Sequence, residues 1–376
     1  MSAFDGRGGY DGTTPVNTTV FVTFYGEKMI SPMHRRIFLK WLPTAALPTA
    51  SSSMAQTYEP FDFVMARSAF IDRIEKIRRS GALPIIDVES SYNPLEINLD
   101  SLTASMDRAG IALMCLSVDQ PGKLVNQGQI WSDHAIDAYR KYPSHFIPTG
   151  NGGNHPAWTK FPERFLDAQE NKLLEHRYPM MGEFEVRHYP SPRQIQRGEL
   201  FRDVDFAMDG PLMERVFSLS EKYSIPFQIH YEIEDRLLDP LERMLTKFPK
   251  AKVIWCHLAQ IRYQQRSSRY SPSMIGDWLE KYPNLYIDTA FADFMSTYQP
   301  SGERHARFWN NSKDWVELIS SKPYRFLAAL DIGGDRVNRV EEWTGTLRKF
   351  LGTLPQPTRE IVAYKAAWRL LFNEVL

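Results

Sequence analysis

The run from Ala82 to Pro94, "ALPIIDVESSYNP", begins as an apolar strand and ends in carboxylates and hydroxyls: Asp87, Glu89, Ser90 and Ser91. Five further apolar runs end in the same way. "GEFEVRH" carries Glu183, Glu185, Arg187 and His188; "PFQIHYE" carries His230; "VIWCHLAQ" carries His257; "LYIDTAF" carries Asp288; "FLAALDIGG" carries Asp331. Imidazoles and carboxylates hold divalent cations and also accept and return protons. A single histidine at a strand end is more often a satisfied core residue. Two histidines and an aspartate, each closing an apolar strand, point to a site. Glu183 and Glu185 share one strand face. An inward acid on that face is a candidate for substrate contact or for supporting a neighbouring site residue, against the alternative of a salt bridge with Arg187 or another base; Glu185 and Arg187 are the substrate-contact pair. Asp288 reads as a loop cap, and "GNGGNHP", Gly150–Pro156, as a turn. His155 and His188 fall in loops and carry no assignment.

These residues need a scaffold that gathers strand ends. After residue 56, short apolar runs alternate with amphipathic stretches. The strands expected are Leu83–Val88, Ile111–Val118, Phe146–Thr149, Met181–Val186, Pro226–His230, Lys252–His257, Leu285–Asp288 and Arg325–Leu330. The helices expected between and after them are Leu102–Arg108, Ser132–Lys141, Glu163–Leu174, Pro211–Tyr223, Leu238–Phe248, Met274–Tyr282, Trp315–Ser321 and Glu341–Leu351. Strict alternation implies parallel strands, and eight such units fit a single-domain α/β fold, the (β/α)8 TIM barrel, over residues 81–376. In that fold the reactive groups sit at the C-terminal strand ends, where the residues above lie. The longer segments 187–210, 258–272 and 290–312 are where lids and substrate contacts belong. No Gly-x-Gly-x-x-Gly or P-loop supports a nucleotide-binding sheet.

Composition narrows the function classes. Lys plus Arg and Asp plus Glu are both 45 in 376 residues, a balance that argues against a nucleic-acid footprint or a polybasic membrane surface. No apolar run is long enough to span a bilayer. Cys115 and Cys256 both lie in apolar strands and read as buried free thiols. The partner expected is a small-molecule substrate; Tyr92, Tyr231, Trp255 and Phe291 near the strand ends suit a ring-bearing or apolar one. The oligomeric state is left open.

The N-terminus carries a different signal. Met33 to Gln56, "MHRRIFLKWLPTAALPTASSSMAQ", has Arg35-Arg36, then Ile37-Phe38-Leu39-Lys40, an apolar stretch and Ser53-Met54-Ala55. It resembles a twin-arginine export signal, with His34 where Ser or Thr is usual. The expected organisation is an extension at 1–32 from an over-extended start, a signal peptide at 33–55, a leader segment and helix at 56–80, then the barrel. The resemblance implies the twin-arginine export machinery as a partner and a periplasmic or otherwise exported location.

"PFQIH", "KVIWCHLA", "RFLAALD" and the closing "WRLLFNEVL" resemble the second amidohydrolase-related family, from Leu83 to the C-terminus. That family implies a (β/α)8 barrel and a divalent cation. Its first strand supplies His-x-His, its fifth a His, its sixth a His near the substrate, and its eighth an Asp that binds metal and handles the proton. Here Glu89 and Ser91 stand at the two first-strand histidine positions. The metal ligands implied are Glu89, His230 and Asp331, and the catalytic residues are Asp331 and His257. So oxygen-rich a set favours manganese or magnesium over zinc. The expected activity is metal-assisted hydrolysis of a small amide, ester or lactone. The alternatives are a non-oxidative metal-dependent decarboxylase of a carboxylic acid, toward which Glu89 leans, and a degenerate barrel that only binds a ligand.

Overall fold

Nine strands are formed among the described residues: β1 Ile85–Tyr92, β2 Ile111–Val118, β3 Phe146–Pro148, β4 Met181–His188, β5 Val204–Asp205, β6 Pro226–Tyr231, β7 Lys252–Trp255, β8 Leu285–Asp288 and β9 Phe326–Leu327. The structure, a computed structural model, describes residues 59–190, 192–258, 266–290 and 312–376. The extension at 1–32, the twin-arginine-like segment at 33–55, residues 259–265 of the segment 258–272 and residues 291–311 of the segment 290–312, Phe291 among them, lie outside the described residues. Everything below belongs to the unit Thr57–Leu376.

β1, β2 and β3 pair in that order, and β4, β6, β7, β8 and β9 pair in a second row, all parallel; β5 pairs antiparallel with the end of β4. Two seams close the ring. Beyond β3, Gly150 bridges Met181 and Gly153 bridges Phe184. Beyond β9, the chain runs along β1: Val88 N–H donates to Ala328 (3.1 Å), Asp331 N–H to Glu89 (2.8 Å) and Ser91 N–H to Ile332 (2.7 Å), each to the carbonyl oxygen. Eight parallel strands closed in sequence order form the expected (β/α)8 barrel. Its strands are buried on both faces, as parallel strands under helices must be; Ile85 to Ser90 and all of β2 are buried.

The helices cover the outside with one apolar face each. Leu99–Ala109 shows how the sequence sets the bounds. Asn98 caps it by accepting from Ser101 N–H at 3.0 Å, Gly110 ends it at φ +71°, and Leu102, Thr103 and Met106 face inward. Pro211–Tyr223 is the helix expected, residue for residue; the others shift at their ends. Phe63–Arg79 lies within the segment assigned to a leader and helix, capped by Asp62.

Three details differ from expectation. β1 continues past Val88 to Tyr92, because Ser90, Ser91 and Tyr92 pair with Leu116, Ser117 and Val118. Glu89 and Ser91 are therefore strand residues, not loop residues. β9 is two residues long, and the rest of the expected eighth strand follows β1 through the single bonds above. Gly150–Gly153 is not a turn but the third strand's continuation against β4. Its glycines are steric: a Cβ on Gly153 would lie 2.6 Å from the Phe184 ring, and one on Gly182 opposite would lie 2.7 Å from the Gly150 carbonyl. Cys115 and Cys256 are free and buried, as expected.

Candidate functional site

The strand ends bring one imidazole between two acids. His257 follows β7, with its backbone in the left-handed region at φ +63°. Such a conformation is costly for a residue with a Cβ and needs surroundings that hold it. Asp288, ending β8, does so: its Oδ1 accepts from His257 N–H at 2.7 Å and from Ala290 N–H at 3.1 Å. The cap expected at Asp288 is thus present, and it caps the histidine as well as its own loop. The His257 ring then turns Nδ1 to Glu89 Oε2 at 3.4 Å and Nε2 to Glu183 Oε1 at 2.9 Å.

His230, from β6, lies beside it. Its Nδ1 is 3.0 Å from His257 Nε2 and 3.1 Å from Glu183 Oε1, and its Nε2 is 3.4 Å from Glu232. Two groups follow, each with ligand atoms mutually within 4.8 Å: Glu89, His257 and Asp331, and Glu183, His230 and His257. Glu89, Cys256 and Asp288 make a third overlapping set. Glu89, His230, His257 and Asp331 are therefore gathered, with His257 joining the other three. Asp331, itself at φ +50°, is tied to Glu89 backbone to backbone.

Electrostatics mark this as a place for a cation. Burial, and then the charges of Asp288, Glu183, Asp331 and Asp87, push the Glu89 carboxyl well above the usual range. Neither Glu89 oxygen accepts a hydrogen bond among the described residues, nor does Asp288 Oδ2. Buried carboxylates without donors are expensive unless protonated or paired with a cation. Glu183 behaves oppositely: burial raises it, but His257 and His230 outweigh burial and hold it well below the usual range. The donor set fits a divalent cation, with Glu89, Asp331 and His257 as oxygen and nitrogen ligands and His230 and Glu183 adjoining. Ser91, at the other first-strand position, is already engaged: its hydroxyl donates to Asp119 Oδ2 at 2.6 Å.

The expected pair Glu185 and Arg187 is not brought together. A bulge in β4 sets two residues, Glu185 to Arg187, against one step of β6. Arg187 donates to Asp203 (2.7 Å) and Val204 O (2.6 Å) and lies 3.5 Å over the Tyr189 ring. Glu185 pairs instead with Arg202, from the loop after β4. Burial raises the Glu185 carboxyl to about 7, against the opposing charge of Arg202.

From the sequence, Glu183 is only a strand-face acid suited to substrate contact or a supporting role; Glu232 and His188 carry no assignment. Glu183 touches both histidines. Glu232 reaches His230 two residues on. The His188 ring lies 4.5 Å from that of His230, its Nδ1 2.6 Å from Arg202 O. Glu183 was recognisable as sharing a strand face with Glu185; only the strand pairing shows that this face meets His230.

Residues 151–318 match the family model described as Amidohydrolase. No curated protein matches the chain. Among solved structures, the chain is similar to a 2,6-dihydroxybenzoate decarboxylase complexed with 2,6-dihydroxybenzoate, at 11% identity and TM-score 0.47 over 77% of this chain and 99% of that one. It is similar to a 5-carboxyvanillate decarboxylase from Sphingomonas paucimobilis, at 14% identity and TM-score 0.45 over 77% and 99%. A third is a dihydroxybenzoic acid decarboxylase from Polaromonas sp. JS666 with bound manganese and 2-nitroresorcinol, at 14% identity and TM-score 0.47 over 78% and 98%. The barrel assignment rests on the strand pairing described above.

Proposed function

We propose that the protein is a divalent-metal-dependent enzyme that removes carbon dioxide from a small organic acid without redox change. The observation that carries the metal is Glu89: a buried carboxylate with no donor, crowded by Asp288 and Asp331 and facing His257. The ligand set is richer in oxygen than in nitrogen, which suits manganese or magnesium. Bound there, the cation would draw electron density from a substrate oxygen and fix the substrate's orientation.

The chain's own groups supply the rest. Decarboxylation needs a proton delivered to carbon at neutral pH, and so a carboxyl that keeps its proton there. Burial raises the carboxyls of Glu89 and Glu185, while the two histidines lower that of Glu183. Asp331 would deliver the proton to the carbon bearing the carboxylate. The electron pair of the breaking carbon–carbon bond stays with the substrate as carbon dioxide leaves. Asp331 then takes a proton back from water. His257, fixed by Asp288, orients the substrate oxygen.

Metal-assisted hydrolysis is the second reading, favoured by the description of the matched family. There Asp331 would take a proton from water and return it to the leaving group. The test is direct. Purified protein loaded in turn with manganese, magnesium or zinc is offered hydroxylated aromatic acids, then esters and lactones. Carbon dioxide release supports the first reading; hydrolysis alone replaces it with the second. A metal-loaded protein that does neither is a binding barrel.

A further inference from the structure

The cation site and the residues around it leave one charged group unexplained, Arg202. It comes from the segment after β4, not from a barrel strand, yet its guanidinium reaches back to Glu185 on β4. Glu185 pairs across the strands with His230. The guanidinium is therefore tied to a position one strand spacing, about 4.8 Å, from a histidine of the cation site. Its charge is felt by Glu185, Asp119 and Glu183, and its side chain is partly buried.

The pairing with Glu185 is incomplete. Arginine binds a carboxylate best through two parallel N–H bonds. Here only Nη2 donates to Glu185; among the described residues Nε is buried without a partner, and so is Glu185 Oε2. An arginine present only to neutralise Glu185 would present its fork. This one uses one prong and leaves its Nε edge without a partner among the described residues. Leaving such a donor buried and unpaired costs free energy that a ligand would recover.

We propose that Arg202 is a second anion receptor of the barrel mouth, so that the substrate carries two anionic groups: one at the cation, and one, unreacted, on the Nε edge of Arg202. This rests on the metal-dependent reading above and names its substrate class as a dicarboxylate or its equivalent. Arg202 is a specificity residue here, and takes no part in bond breaking.

The test uses manganese-loaded protein and four probes: isophthalate, glutarate and the monoamide of each. Affinity is read by titration calorimetry for the wild type, Arg202→Gln and Arg202→Lys. At least one diacid should bind ten-fold or more tightly than its monoamide. Arg202→Gln should abolish that ratio and leave the monoamide affinity unchanged. Arg202→Lys, which keeps the charge without the fork, should restore part of it. Absence of a diacid preference in the wild type overturns the proposal, as does an equal loss for diacid and monoamide in Arg202→Gln. Manganese content of each protein is measured alongside. A wild type that takes up no manganese defeats the metal reading, and the diacid ratio then decides Arg202 on its own.

Discussion

The Nδ1 atom of His257 lies 3.4 Å from Oε2 of Glu89, while the opposite ring nitrogen faces Glu183. One ring thus connects the first barrel strand to the fourth across the mouth. It holds that place only because the His257 backbone is left-handed and Asp288 receives its N–H. The geometry of the site is set by strand ends that are individually ordinary and collectively constrained.

Asp87 shows the same economy within the wall. It is fully buried, and its Oδ1 accepts from Glu89 N–H (3.1 Å) and Leu330 N–H (2.9 Å), while Oδ2 accepts from the Ser90 hydroxyl. It stitches β1 to the chain after β9. Asp87→Ala would leave two buried backbone donors unpaired, at about 1–3 kcal/mol each. Urea denaturation should show a loss of about 2–5 kcal/mol in total. Asp87→Asn, which keeps an acceptor, should lose less.

A second cluster, at the start of the helix His134–Lys141, governs acid stability. Burial pushes the Asp133 carboxyl up, but the His176 ring, 3.2 Å away, and the Lys172 ammonium, which donates to it at 2.9 Å, outweigh burial and hold the carboxyl below the usual range. A depressed carboxyl contributes stability above its unfolded pKa, near 3.8, and loses it as pH falls through the folded value. Asp133→Asn should therefore be less stable than the wild type at pH 6, by about 1 kcal/mol after allowing for solvent screening. The gap should narrow steadily below pH 4. Urea melts of both proteins from pH 3 to 7 measure it; a gap constant with pH would contradict this account.

The alternation of apolar runs and amphipathic stretches made the barrel legible, because parallel strands buried on both faces carry a continuous apolar signal. His230, His257, Asp288 and Asp331 were legible for a related reason: a polar residue ending such a run stands at the mouth. Glu183 was not, since only the register with β6 shows that its face meets His230. Arg187 misled because a bulge interrupts the period-two rule one residue before it matters. Arg202 left no trace in the pattern; it is brought in by a loop, and loops have no periodicity to read. The closing seams failed for the opposite reason, as Gly150–Gly153 carries turn residues for their small size.

Export is tested without reference to the barrel. If Arg35-Arg36 open a twin-arginine signal, the mature chain should begin near Gln56. N-terminal sequencing of the exported protein reads the cleavage site. Changing both arginines to lysine should leave the protein in the cytoplasm. A mature cytoplasmic protein still carrying Met33 to Ala55 would remove the idea.

The cation site makes the sharpest prediction. Glu89, Asp331 and His257 form one ligand group, and His230 adjoins through His257. Glu89→Gln, Asp331→Asn and His257→Ala should each weaken manganese binding by more than the roughly 10–100-fold typical of an outer-shell partner. His230→Ala should also lower it, through the loss of Glu183's second contact or of a ligand. The fold should persist in all four, because the core consists of apolar residues of the strands and of the helices packed on them. In metal-free protein the signs reverse for one variant. Glu89→Gln removes a buried carboxyl that must take up a proton on folding, so at neutral pH it should raise the melting temperature there, while the wild type should gain most from added metal, about 2.7 kcal/mol at a hundredfold excess over Kd. Glu89→His with Ser91→His should shift preference toward zinc, since nitrogen replaces oxygen. Elemental analysis of protein purified without chelators decides the matter. Less than roughly a tenth of an equivalent of any divalent metal, unchanged after incubation with manganese, magnesium or zinc, would mean that Glu89 stays protonated in a metal-free pocket.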